Sequence, residues 1–156
     1  MRISLASPVL RVSTVLAVSF ALGLTSGCSR DPNKQKQKYL ESGKRYADEG
    51  KLKEAAIQFA NALKVDHNFA PAHFELAKVC FALNRFAEAE MRARKSIALK
   101  ETNTGVYIVL GHALLRQSKP EDARRAFQQF LQLDPNNPMS ADVKATITQI
   151  DSRMKK

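Results

Sequence analysis

Apolar and polar residues alternate along most of this chain with the period of an α-helix. In residues 36–69, Tyr39, Gly43 and Tyr46 recur at spacings of three and four, which places them on one face of a helix. A second apolar run with the same spacing follows Gly50, a residue that suits the left-handed conformation at the end of a helix. The segment therefore predicts two helices joined by a tight turn, with the left-handed turn at Gly50.

The same pattern returns twice, without gaps, at an interval of 34 residues. The small residue Gly43 is followed at this interval by Ala77 and Gly111. A fixed period of this length indicates stacked repeats, because each helix pair buries its apolar face only against a neighbour. The predicted repeats are residues 36–69, 70–103 and 104–137, and Asn84 takes the turn position of Gly50 in the second.

One more amphipathic segment follows the third repeat, in residues 138–156. The pattern predicts a helix from Ser140 to about Met154. Its apolar stripe consists of Met139, Val143, Ile147 and Ile150. A solenoid needs such a helix to cover its last open face, so we expect a capping role, followed by a basic tail.

The repeat resembles the tetratricopeptide repeat. In the first repeat the match is carried by Tyr39, Gly43, Tyr46, Ala55, Phe59 and Ala62, and in the third by Tyr107, Leu110, Gly111, Ala123, Phe127 and Pro135. The second repeat matches at Leu76, Ala77 and Ala89 and departs at His73, Cys80, Ala93 and Ser96. The resemblance implies an all-α fold, a right-handed helical solenoid of three helix pairs with a C-terminal capping helix.

The first 27 residues have the pattern of a secretory leader. Arg2 and Arg11 supply positive charge, and residues 12–24 are almost all apolar or small. This apolar run is too short for the roughly 20 residues that a bilayer span needs, so it fits a signal peptide better.

The stretch LTSGC, which ends at Cys28, resembles a bacterial lipobox, although Thr25 stands where that motif usually has Leu. The resemblance implies cleavage before Cys28, lipid on its thiol, acylation of its new amine, and a short tether at residues 28–35. Ordinary cleaved secretion and an uncleaved anchor are the alternatives. Ser29 resembles an outer-membrane sorting signal, so we expect a periplasm-facing protein of the bacterial envelope, anchored in the outer membrane rather than the inner.

The chain has a formal net charge of +10. Such an excess favours anionic partners, although it also fits an ordinary solvated surface. Basic residues cluster on or beside the predicted second helices, at Arg85, Arg92, Arg94, Lys95, Lys100, Arg124 and Arg125. Nucleic acid is disfavoured, because no recognition motif is present and an exported protein would rarely meet it.

No catalytic constellation is present in the sequence. The three histidines, His67, His73 and His112, are scattered and are interpreted as surface or groove residues. Cys80 occupies the repeat position of Tyr46, and is interpreted as a small buried residue rather than a nucleophile. We therefore expect no enzyme activity, no small-molecule substrate, no cofactor and no metal site.

The tetratricopeptide resemblance implies a ligand groove lined by the first helix of each pair. Carried over by position, this predicted groove consists of Leu40, Lys44, Asp48, Phe74, Lys78, Phe81, Ile108, His112, Leu115 and Arg116. Apolar side chains interleaved with cations suit a peptide that has hydrophobic anchors and some negative charge. The alternative is that the apolar members only pack against neighbouring helices. The family's clamp for a C-terminal carboxylate is not supported, because Lys44, Lys78 and His112 stand at its positions.

Two functional hypotheses follow. The first is a lipid-anchored adaptor that binds a protein or peptide of an envelope or secretion complex, similar to tetratricopeptide lipoproteins of exopolysaccharide and exosortase systems. The second is an accessory protein that binds acidic polysaccharide or anionic lipid through its basic face.

Overall fold

The computed structural model describes residues 31–155 and, within that range, contains only helices. The helices are α1 (Pro32–Asp48), α2 (Leu52–Val65), α3 (Ala70–Ala82), α4 (Phe86–Ala98), α5 (Gly105–Leu115), α6 (Pro120–Leu133) and α7 (Ser140–Met154). The first helices of the pairs are α1, α3 and α5, and the second helices are α2, α4 and α6. The predicted all-α solenoid of three pairs plus one terminal helix is confirmed. The predicted leader and Cys28 lie outside the described residues.

The turn inside each helix pair depends on one residue with a left-handed backbone. Gly50, Asn84 and Ser118 have φ of 73°, 60° and 58° at equivalent repeat positions. The predicted left-handed turns at Gly50 and Asn84 are thus confirmed. The amide that follows each of these residues donates to a carbonyl in the last turn of the first helix, which closes the turn.

Helix α1 begins before the predicted first repeat. Pro32 occupies the first turn, and the Asp31 side chain accepts a hydrogen bond of 2.9 Å from the backbone amide of Asn33. An aspartate cap followed by proline is a favourable helix start, because proline lacks the amide that would have no helical partner. Residues 32–35, predicted to belong to the tether, are therefore helical.

Close contacts between small residues and aromatic rings hold the pairs together. An ideal Cβ on Gly43 would lie 2.5 Å from a ring carbon of Phe59, and one on Gly111 would lie 2.5 Å from a ring carbon of Phe127. The second repeat has Ala77 and Ala93 at these two positions, so it replaces a glycine and a ring with two methyl groups. Glycine at the first position thus allows the two helices of pairs one and three to pack around a buried ring.

Helix α7 covers the end of the apolar core. Val143 and Ile150 are buried in the same cluster as Phe127 and Phe130 of α6, and Ile147 is packed partly against it. Met139 is exposed and takes no part in this contact, so the predicted stripe is correct except for its first member.

The first and second helices lie on opposite faces of the solenoid. Contacts between α1 and α3, and between α3 and α5, are more extensive than those between the second helices of adjacent repeats. The first helices therefore converge and the second helices spread apart. This curvature places α1, α3 and α5 on the concave face and α2, α4 and α6 on the convex face.

Candidate functional site

A cavity of about 390 Å³ opens on the side of the first helices, between α1 and α3. Three residues of the predicted groove, Lys44, Asp48 and Lys78, line it. The remaining lining residues are Ala47, Leu52, Glu75, Val79 and Ala82. We call this cavity the inner pocket. Its floor is apolar and its rim carries both signs of charge.

Each lysine of the inner pocket is paired with a glutamate one helical turn before it. The Lys44 Nζ lies 3.1 Å from a carboxylate oxygen of Glu41, and the Lys78 Nζ lies 2.9 Å from one of Glu75. Neither glutamate was in the predicted groove, although a glutamate three residues before a lysine on a helix is a recognisable pairing signal. These exposed pairs neutralise part of the positive charge that the sequence predicted for this face.

Three apolar members of the predicted groove belong to the core. Leu40, Phe74 and Ile108 are only 4%, 7% and 6% exposed. Phe74 lies beneath Lys78, whose Nζ is 5.6 Å from the ring centroid. Their burial favours the alternative that these three side chains pack between helices, and their contact with a ligand stays a prediction. The first helices are enclosed on several sides, which leaves only a narrow face open.

Phe81, His112 and Arg116 form a second group near the carboxyl ends of α3 and α5. The His112 ring lies 6.2 Å from the Phe81 ring and 5.1 Å from the Phe127 ring, measured between centroids. The Arg116 guanidinium lies 4.4 Å from the centroid of Phe86. Burial lowers the pKa of His112, so its ring is neutral at pH 7. We call Phe81, His112 and Arg116, with the rings that they contact, the aromatic cluster.

The last member of the predicted groove, Leu115, lines a different cavity. This one has about 340 Å³ and lies between the carboxyl end of α5, the start of α6, and α7, where Ile150, Arg153 and Met154 contribute. The structure thus divides the predicted groove into the inner pocket, the aromatic cluster and this terminal cavity.

The described residues contain no cluster of histidine, cysteine or carboxylate side chains able to hold a metal ion. Cys80 is fully buried, as predicted, and burial raises the pKa of its thiol to about 11. The interpretation of His73 as a surface or groove residue is wrong, because its side chain is buried and its Nε2 lies 3.0 Å from the carbonyl oxygen of His67. The Cys80 thiol is thus largely protonated and inaccessible, so it is not a nucleophile.

Most of the clustered basic residues on the second helices have acidic partners. Arg85 and Arg92 both contact Glu88, and Arg94 lies 2.9 Å from Glu90. Further along, Arg124 and Arg125 pair with Asp151 and Asp122. The convex face is therefore less positive than its lysine and arginine content suggests.

Among the described helices, none combines the length and the apolar composition that crossing a bilayer would require.

Comparisons with known proteins agree with this architecture. Two profiles described as tetratricopeptide repeat match residues 40–98 and 105–137, which together make up more than half of the chain. The chain is 29% identical over 119 residues to DnaJ homolog subfamily C member 3 of Mus musculus; the match covers 76% of this chain and 24% of that protein. The chain thus spans about a quarter of the length of this curated relative.

Two solved structures have the same fold. The first tetratricopeptide domain of Spaghetti (RPAP3), bound to the HSP90 peptide SRMEEVD, superposes with a TM-score of 0.73 at 24% identity, covering 79% of this chain and 95% of that one. The type III secretion chaperone SycD of Yersinia enterocolitica, in complex with a peptide of the translocator YopD, has a TM-score of 0.70 at 15% identity, covering 76% and 93%. With three helix pairs, their small-residue contacts and these matches, the chain belongs to the tetratricopeptide repeat family.

Proposed function

We propose that this protein is a lipid-anchored adaptor of the bacterial envelope, and that it binds a segment of a partner protein on its concave face. The observation that carries the proposal is the inner pocket, an open cavity between two first helices with an apolar floor and a charged rim. A peptide lying across α1 and α3 could place an apolar side chain on this floor and charged side chains at the rim. The HSP90 and YopD peptides are ligands of those two similar proteins, and here they support the mode of binding only.

The rim favours a ligand that carries charges of both signs. Two cations, Lys44 and Lys78, face two carboxylates, Asp48 and Glu75, in the same pocket. A C-terminal carboxylate is not the expected ligand, because both lysines already pair with glutamates and the third clamp position carries the neutral ring of His112. We therefore propose an internal segment of a partner as the ligand.

Reversing the charge of the inner pocket should abolish most of the partner capture. In a crosslinking pull-down from cells that express the full chain, we expect the double variant Lys44→Glu with Lys78→Glu to recover at least tenfold less partner than the wild type. Each new glutamate would lie beside an existing carboxylate at the rim of the inner pocket. These like charges would repel one another and would also repel the acidic side chains of the ligand.

The matched control is the double variant Lys34→Glu with Lys38→Glu, which makes the same change of net charge at exposed positions of α1 outside the inner pocket. It should capture the partner within twofold of the wild type, and circular dichroism should show native helix content for both variants. Undiminished capture by the folded pocket variant would reject the concave face as the binding site.

The anchor is proposed from the sequence motif at Cys28. Two or three acyl chains on one residue give stable membrane binding, at about 0.8 kcal/mol for each buried methylene. We expect an alkyne fatty-acid probe to label the wild type and Cys80→Ser but not Cys28→Ser, because Cys80 is buried and its thiol is protonated. Labelling that survives Cys28→Ser would exclude this anchor. The outer-membrane location, the periplasmic orientation and the exopolysaccharide or secretion setting are proposals that follow from the same motif and from the family resemblance.

A further inference from the structure

Two clefts cross the convex face at equivalent repeat positions. The α2/α4 cleft has a volume of about 340 Å³ and the α4/α6 cleft about 360 Å³. Leu76 of α3 contributes to the first and the repeat-equivalent Leu110 of α5 to the second. They exist because the second helices of adjacent repeats spread apart, and the buried Leu76 and Leu110 form part of the cleft floors.

The α2/α4 cleft has an excess of positive charge over an apolar floor. Lys53, Arg85 and Arg92 line it together with a single carboxylate, that of Glu88. Both arginines contact this carboxylate, and the Nε of Arg92 is buried without a hydrogen-bond partner among the described residues. One carboxylate cannot satisfy three cations, so the cleft can accept a further anionic group.

The α4/α6 cleft repeats this arrangement in weaker form. Arg94 and Arg125 line it with one carboxylate, that of Asp122. An exposed apolar ridge accompanies the clefts, since Ile57 on α2 and Met91 on α4 occupy equivalent positions and are 58% and 54% exposed. With the partner Glu90 of Arg94 included, five cations of the two clefts stand against three carboxylates, whereas the two lysines of the inner pocket, with Glu41 included, stand against three.

We propose that the convex face is a second binding surface, specific for an acidic amphipathic segment of a partner protein in extended conformation. One acidic side chain enters the α2/α4 cleft, the next enters the α4/α6 cleft, and an apolar side chain between them contacts Met91. The second helices of adjacent repeats are spread beyond the roughly 8–10 Å of packed helices, and an extended chain advances about 3.3 Å per residue with alternate side chains on opposite faces. Acidic residues that enter both clefts therefore recur every fourth position, about 13 Å apart, with the apolar side chain midway between them.

Discrete clefts favour a peptide over a membrane or a polysaccharide. A diffuse anionic surface is attracted by unpaired charge spread over a face, but most of the convex arginines pair with carboxylates. The residual positive charge lies inside the clefts, beside apolar side chains such as Ala56, Ile57 and Leu83. Carboxylates interleaved with apolar groups complement this pattern, and a flat layer of head groups cannot enter it.

Fluorescence anisotropy with the full chain in mild detergent tests the proposal. The probe is a labelled 12-residue peptide in which Glu recurs every fourth residue and Leu stands two residues after each Glu. The comparison peptides have the same composition with all Glu at one end, or Gln in place of Glu. We expect this spaced peptide to bind at least tenfold more tightly than the Gln peptide and at least threefold more tightly than the clustered one.

Variants then locate the site. Lys53→Glu with Arg85→Glu should weaken binding of the spaced peptide at least tenfold, and Ile57→Ser should weaken it severalfold. Lys34→Glu with Lys38→Glu carries the same change of net charge on α1, and Lys44→Glu with Lys78→Glu carries it in the inner pocket. Both should change the affinity less than twofold.

Several outcomes would overturn the proposal. Equal weakening by the α1 pair would show attraction to net charge alone, and loss of binding in the inner-pocket pair alone would assign the peptide to the concave face. Insensitivity to Ile57→Ser would remove the amphipathic part of the proposal. Vesicles with anionic lipid or a soluble acidic polysaccharide that displace the peptide, and lose affinity through Lys53→Glu with Arg85→Glu, would make those ligands the occupants instead.

Discussion

Replacing Gly111 with alanine is expected to lower the free energy of unfolding by about 2 kcal/mol, against the helix-propensity scale. On that scale alone the change should stabilise a helix by about 1 kcal/mol. The added Cβ, however, would lie 2.5, 2.6 and 2.8 Å from three ring carbons of Phe127. That ring is fully buried and packs edge-on against His112 at 5.1 Å, so it has no space into which it can move.

A double-mutant cycle separates this steric clash from other effects. Phe127→Ala alone should cost about 3–5 kcal/mol, as expected for loss of a fully buried ring. The combination Gly111→Ala with Phe127→Ala recreates the Ala77 and Ala93 pair of the second repeat. It should therefore cost less than the sum of the two single changes, with a favourable coupling of about 2 kcal/mol.

The second repeat supplies the matched control. Ala77→Gly removes a methyl group at the position equivalent to Gly111 and should cost only about 1 kcal/mol, mainly through helix propensity. Urea unfolding followed by circular dichroism gives all four free energies. If Gly111→Ala raised the unfolding midpoint, or if the cycle showed simple additivity, the close contact with Phe127 would not be the reason for glycine at this position.

The fold was predictable because every helix pair repeats the same sterically constrained positions. Gly50, Asn84 and Ser118 follow one another at intervals of 34 residues, each in the turn of its own repeat. All three adopt the left-handed backbone there. The apolar pattern did not predict the start of α1, since residues 32–38 contain no apolar residue except Pro32. Only the Asp31 cap marks that start, and a cap is a local signal that periodicity does not contain.

The candidate site was less predictable, because position along a first helix does not decide which side chains a ligand can reach. Lys44 and Lys78 line the inner pocket, but Phe74, at the same repeat position as Leu40, is buried beneath Lys78. Whether such a residue is exposed depends on how closely the neighbouring repeats converge, which is a property of the whole stack. The clefts between second helices also depend on how the repeats of the whole stack converge, and not on the position of a residue along its helix.

Acidification from pH 7.5 to pH 5 is expected to destabilise the domain, and His73 to account for a large part of the loss. His73 is buried, and its Nδ1 has no hydrogen-bond partner among the described residues. Its Nε2 donates to the carbonyl oxygen of His67. Burial lowers the pKa of His73 first of all; the hydrogen bond to His67 opposes this shift, and the positive charges of Arg92 and Lys95 add to it. Burial also lowers the pKa of His112.

The sign of this dependence follows from the proton balance. A histidine whose pKa is depressed in the folded state binds its proton more readily in the unfolded state, where the pKa is about 6.5. Its contribution to stability is therefore present above about pH 6.5 and is lost as the pH falls below that value. The loss is about 1.4 kcal/mol for each unit by which folding depresses the pKa. The carboxylates with lowered pKa, such as Asp66 and Glu90, titrate at lower pH, so this window reports mainly on histidine.

Substitution of His73 tests the assignment without requiring that absolute stability be preserved. His73→Tyr introduces the residue found at the equivalent positions Tyr39 and Tyr107, and it should flatten the plot of unfolding free energy against pH between 5 and 7.5. His67→Gln, at an exposed position, should leave the slope unchanged. The measurement is urea unfolding at several pH values, in which the slope gives the difference in bound protons between the unfolded and folded states. A slope equal to that of the wild type in His73→Tyr would mean that this buried ring is not the group that takes up the proton.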